Sequence, residues 1–161
     1  MTISENGLKL IEGFEGCILH PYHDKVGKPT IGFGNTCYEN GTAVKMSDPH
    51  ITRDRADGLL KHDAMAKAYI LAQTLQKNHM VLNQNQFDSL CSFSYNSGIY
   101  GLLRSTLFGL IKQGARTADI LRPHFMEWNK GHVNGKLVVI EDLTARRKKE
   151  ADLFFTPIPN S

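Results

Sequence analysis

Residues 14–36 read FEGCILHPYHDKVGKPTIGFGNT, and the architecture of the rest of the chain follows from how this stretch is parsed. It begins where an apolar, helix-spaced run ends at Phe14 and Glu15. It then fills with residues that punctuate a chain: Gly16, Pro21, Asp24, Gly27, Pro29, Gly32 and Gly34. Short β-prone runs lie between them, Lys28 to Phe33 being the clearest, so the stretch reads as a small antiparallel sheet. Two carboxylates and a hydroxyl are spread through it. Glu15, next to Phe14, Gly16 and Cys17, has an apolar setting that favours a protonated carboxyl, whereas Asp24 lies in a polar loop and is expected to stay ionised; Thr30 follows on the strand.

Toward the N-terminus, Thr2 and Glu5 have capping-box spacing and Leu8, Ile11 and Phe14 recur at helical intervals, so residues 3–14 are expected to be a short helix. Toward the C-terminus, Asn40-Gly41 marks another turn, and the sheet region runs out near Met46. Thr52 can cap a long helix to about Thr74, with an apolar stripe of Leu59, Leu60, Ala64, Ala68 and Leu71. Asn83 and Gln86 form another capping pair, Gly98 is a stop, and Ser105 opens a helix that Gly114 closes. Thr117 caps a shorter helix before Pro123, and a glycine-containing loop, residues 131–135, precedes a final helix. On that last helix Ile140, Leu143, Arg147, Glu150 and Phe154 share a stripe, which brings an Arg and a Glu to the edge of the core in a structural role.

A chain of 161 residues, 41% hydrophobic, fits one compact unit that can split into two lobes. No uninterrupted apolar window is long enough to span a membrane, and MTISENGLKLIEG lacks the basic and apolar regions of an export signal. Three cysteines, Cys17, Cys37 and Cys91, are too few for a disulfide framework and are expected to be free thiols in a reducing compartment. A formal charge of +3 suits an anionic partner. Nucleic acid is set aside, because the one dense basic cluster, Arg146 to Lys149, lacks interleaved aromatics and is expected to be a solvated helix face.

The pattern FEG-x5-Y-x-D-x5-TIGFG, Phe14 through Gly34, resembles the opening motif of the phage-type lysozymes, glycoside hydrolase family 24. QFDSLCSFSYNSG with Ser105-Thr106-Leu107 resembles that family's next block, and Leu143-x-x-Arg146-Arg147-x-x-Glu150-x-x-Leu153-Phe154 its last. The resemblance implies an α+β, lysozyme-like fold with a small antiparallel β lobe at 15–51, a connecting helix at 52–74, and a larger helical lobe at 75–161 on which 1–14 packs. It implies hydrolysis of the β-1,4 bond between N-acetylmuramic acid and N-acetylglucosamine in peptidoglycan, with no cofactor. Glu15 would be the acid, Asp24 the second carboxylate, and Thr30 a hydroxyl that positions water. Whether Asp24 is base or nucleophile depends on a separation of about 5 Å or about 6.5–9.5 Å from Glu15, which sequence does not supply. Thr36, Tyr95 and Ser105 align with positions along the sugar chain, although Tyr95 also reads as a core aromatic and Ser105 as an N-cap. The resemblance further implies a monomer that gathers in the host cytoplasm and reaches the wall when a separate protein permeabilises the membrane. One departure stands out: Asn35 occupies a place where the family usually has histidine, so an uncharged hydrogen bond replaces any ion pair there.

Rival readings rest on the same residues. Gly32 and Gly34 leave one side of a strand bare for a polysaccharide; a phosphate loop would need glycine at Cys37. Cys17, His20, His23 and Asp24, with Cys37, could be written as the ligands of a zinc peptidase, but Pro21 bars a regular helix carrying both histidines. A wall-binding module without catalysis is the third reading, against which the intact Glu15, Asp24 and Thr30 speak.

Overall fold

The computed structural model describes residues 1–159. The first helix, α1 (Glu5–Phe14), is capped by Ser4, not Thr2. Ser4 Oγ accepts from the Gly7 amide at 3.2 Å, while both its amide and its hydroxyl donate to the carboxylate of Asp88, far along the chain. A tertiary partner thus moves the cap by two residues from where local spacing puts it. Gly7 is where α1 meets that carboxylate: a Cβ there would fall 2.7 Å from Ile3 Cγ1 and 2.8 Å from Asp88 Cγ. Gly7→Ala should therefore destabilise the fold by about 1–3 kcal/mol despite alanine's better helix propensity, a loss that denaturant unfolding would register as a lower midpoint at unchanged slope.

β1 (Ile18–His23) and β2 (Pro29–Gly32) pair antiparallel, with Tyr22 opposite Thr30 and His23 opposite Pro29, and a register irregularity between Ile18 and Tyr22. The strand expected to reach Phe33 stops at Gly32 because the chain reverses. Gly32 and Gly34 both have positive φ, and the Ile31 and Asn35 backbones exchange two hydrogen bonds of 2.9 Å across the turn. Glycine is needed there for the left-handed backbone rather than to bare a strand face.

α2 (Arg53–Lys77) starts at the expected cap, Thr52 Oγ1 accepting from Arg55 N, and runs past Thr74 because Leu75 continues the buried stripe. A small cluster of Ile31, Val44 and Leu59 seals the sheet against α2, while the main core joins α1, α2 and the helices that follow. These are α3 (Gln84–Ser97), α4 (Ile99–Arg104), α5 (Thr106–Lys112) and α6 (Ala118–Met126). The Asn83–Gln86 capping box and the positive-φ Gly98 stop are as expected, whereas α6 continues through Pro123 instead of ending before it. Residues 131–135, expected as loop, belong to an exposed hairpin, β3 (Lys130–Val133) and β4 (Lys136–Val139), turned by Asn134 and Gly135 at positive φ. Helix α7 (Glu141–Phe154) closes the fold, packed on α3 and α6. Two small antiparallel sheets in a helix-rich chain make the fold α+β.

Two cross-ties hold the β1–β2 region to the helices. The buried Asn35 amide donates to Asp63 Oδ2 at 2.9 Å on α2, and the Tyr95 hydroxyl donates to the Phe33 carbonyl at 3.0 Å from α3. The three cysteines are free, and no helix among the described residues is long and apolar enough to cross a membrane.

The basic run at Arg146 to Lys149 is only half a solvated face, Lys148 and Lys149 being exposed. Arg146 and Arg147 are buried, and Glu150 lies inside the core rather than at its edge. A stripe that alternates Leu143, Arg147, Glu150 and Phe154 turns its charged members inward along with its apolar ones, and they survive there because partners on other elements meet them.

Candidate active site

Helix α1 ends because the backbone of Glu15 becomes extended while its amide still donates to the Ile11 carbonyl at 3.0 Å. The side chain is thereby released at the helix exit, part-exposed, beside the β1–β2 hairpin. Its surroundings differ from the apolar pocket expected: Arg146 Nη1 donates to Glu15 Oε1 at 2.6 Å. Arg146 is stacked on the Phe14 ring, 4.7 Å from its centroid, and donates through Nη2 to the Ser92 carbonyl at 3.1 Å and through Nε to Glu150 Oε1 at 3.1 Å. Glu15 Oε2 faces the other way, 3.5 Å from where a Cβ on Gly34 would lie. One carboxyl oxygen is thus pinned by a guanidinium that can only donate, and the other looks toward the glycine turn. A 410 Å³ cleft lined by Phe14, Glu15, Asn96, Leu143 and Arg146 opens beside the pair. A roomier groove of 660 Å³ between α2 and residues 80–82 holds neither carboxylate and plays no part in this site.

Asp24 forms the turn between the strands. Its Oδ1 accepts from the Lys28 amide at 2.8 Å and the Val26 amide at 3.0 Å, which fixes the side chain and leaves Oδ2 without a protein partner among the described residues. Thr30 is buried, and its hydroxyl donates to the Lys28 carbonyl at 2.8 Å. Tyr22 lies opposite Thr30: burial pushes its hydroxyl up from its ordinary value, and the negative fields of Glu15 and Asp24 push it further. Tyr95 is raised too, by burial first and then by Asp63 and Glu15, which sets its hydroxyl on the Phe33 carbonyl within the field of the same Glu15. The structure therefore gathers Glu15, Asp24, Thr30 and Tyr95 around the hairpin and its glycine turn. Thr36 and Ser105 make no hydrogen bond to them among the described residues. The Thr36 carbonyl accepts from Val44, and Ser105 is the N-cap of α5, its hydroxyl donating to Leu102 and accepting from Phe108.

Sequence reasoning missed Tyr22, Arg146 and Glu150 as parts of this site. For Glu150 a signal existed, since a charged residue at a core-facing position of a helical stripe needs partners. Cys17, His20, His23, Asp24 and Cys37 do not converge. The His20 ring faces that of His50 at 5.6 Å, and no group of three or more metal-ligating side chains gathers among the described residues.

The fold is that of a lysozyme. The chain belongs to the phage lysozyme family, which it matches over residues 12–150. It is 36% identical over 154 residues to the endolysin of Acyrthosiphon pisum secondary endosymbiont phage 1, covering 96% of this chain and 98% of that protein. Among solved structures it is similar to the endolysin from Escherichia coli O157:H7 phage FAHEc1, with a TM-score of 0.86, 32% identity, and coverage of 100% of this chain and 98% of that one. It is similar as well to the muramidase domain of SpmX from Asticaccaulis excentricus, with a TM-score of 0.80, 30% identity, and coverage of 96% and 98%. The chain is thus a glycoside hydrolase of lysozyme fold.

Proposed function

We propose that this lysozyme is an endolysin that cleaves the β-1,4 bond between N-acetylmuramic acid and N-acetylglucosamine, with Glu15 as the acid. The observation that supports this most is the two-sided setting of Glu15, held through Oε1 by Arg146 while Oε2 faces the Gly34 turn and the Asp24 hairpin. In the reaction the proton of Glu15 passes to the glycosidic oxygen as the bond from that oxygen to the muramic C1 breaks. Asp24 stabilises the positive charge that develops at C1, or activates the water that adds there, and Thr30 lies on the strand beneath. Water supplies a hydroxyl to C1, and its remaining proton restores the carboxyl groups. The anomer first released, read by proton NMR, assigns Asp24 as nucleophile if the configuration is retained and as base if it is inverted.

The wider reading is of a chain whose residues 15–51 form the β lobe and 75–161 the helical lobe, joined along 52–74, with 1–14 packed on the latter. It acts as a monomer, collects in the host cytoplasm and meets peptidoglycan once another protein opens the membrane. Contacts of α1 with α3 and α2 support the lobe assignment. The test is digestion of purified peptidoglycan by the protein in excess chelator. New reducing ends at an undiminished rate are expected; loss of activity in chelator, or release of free peptide termini without reducing ends, would replace this reading with the zinc peptidase. Wall binding with neither product would leave only a binding module.

A further inference from the structure

Glu150 has no place in the chemistry described so far, yet it is among the most completely enclosed charged groups in the molecule. Its Oε1 alone accepts from Arg146 Nε at 3.1 Å, Arg147 Nη2 at 2.8 Å and Ser92 Oγ at 3.0 Å. Its Oε2 and the Nε of Arg147 are buried with no partner. A helix interior built for stability alone would not keep such groups, because buried ions with unmet hydrogen-bonding capacity are commonly no better than apolar residues of the same volume. The arrangement does, however, accomplish one thing. Arg146 Nε is drawn to Glu150 and its Nη2 to the Ser92 carbonyl, which aims the remaining nitrogen, Nη1, at Glu15 Oε1. Arg147 is turned the opposite way, Nη1 on Ser97 Oγ and Nη2 shared with Asn96 Oδ1, its guanidinium over the Phe93 ring at 4.6 Å.

We propose that Glu150 is a positioning residue for catalysis, orienting Arg146 so that Glu15 is held with one oxygen fixed and the other free for the glycosidic oxygen. This rests on Glu15 being the acid. Without the Glu150 carboxylate, Arg146 Nε loses its acceptor, and the aim of Nη1 at Glu15 rests on the Ser92 carbonyl alone. Asp142 and Lys149 line the cleft beside Glu15, and Tyr22 and Tyr95 lie within its field. The groups facing Glu150 are Arg146 and Arg147 on its own helix and Ser92 on α3.

The experiment compares the parent, Glu150→Gln, Glu15→Gln and the double variant on soluble uncross-linked peptidoglycan strands, with thermal unfolding of each. Glu150→Gln is expected to remain folded at the assay temperature and to lose on the order of ten-fold in kcat with KM little changed. Added to Glu15→Gln it should cause no further loss, since a group that acts through Glu15 has nothing left to act on. An unchanged kcat, or an equal loss in both backgrounds that follows the folded fraction, would overturn the positioning role. Full activity in Glu15→Gln would instead overturn the acid assignment beneath it. Should Glu150→Gln unfold, Ser92→Ala removes one donor from the same oxygen and leaves every charge in place. A several-fold fall in kcat at constant KM is then expected, and no change would refute the proposal.

Discussion

Glu15→Gln should abolish glycan cleavage while leaving the protein folded. The amide oxygen still accepts from Arg146 Nη1, so the contact that spans α1 and α7 persists, but the side chain can no longer deliver a carboxyl proton. A positioned general acid contributes about 10²–10⁴ in rate, and turnover is expected to drop by that factor or more. Clearing of permeabilised Gram-negative cells and the appearance of reducing ends should vanish together. If they do not, the proton comes from another group, and Asp24 becomes the first to replace.

The largest loss of stability is expected from Phe125→Ala. Phe125 on α6 is fully buried and meets three other rings edge to face, Phe93 at 6.2 Å, Phe154 at 5.7 Å and Phe155 at 6.3 Å. Deleting a ring at such a centre removes its burial and opens a cavity that rigid neighbours cannot fill, at a cost of about 3–5 kcal/mol. The affected wall is shared with α7, which carries Arg146, so activity should fall with temperature earlier in the variant than in the parent. A shift in melting temperature of only a degree or two would mean that the cluster can collapse around the gap.

How the chain announces these features varies with how local their causes are. The Thr52 and Asn83 caps, the α2 stripe and the Gly98 stop depend on residues within a turn of each other, and the sequence displays them. The α1 cap depends on Asp88, and is legible only once α3 is known to lie beneath it. Glu15, Asp24 and Thr30 were recognisable as a spaced motif. The cation that donates to Glu15 was not: Arg146 and Arg147 sit in a run that reads RRKK, and what separates the buried pair from Lys148 and Lys149 is the identity of partners on α1 and α3. The β3–β4 hairpin was the reverse case, since its Asn134-Gly135 signal stands in the sequence between Val133 and Lys136 but was absorbed into a loop.

That hairpin has a use for anyone who would alter the protein. Its strands pair mainly with each other, Val133, Leu137 and Val139 lie largely open to solvent, and its tip is a two-residue turn at the far end from Trp128 and Ile140. Foreign sequence spliced between Asn134 and Gly135 would lengthen a ribbon already standing off the body. Cargo such as an epitope or a targeting peptide could therefore be displayed there, with α7 and the residues around Glu15 left as they are.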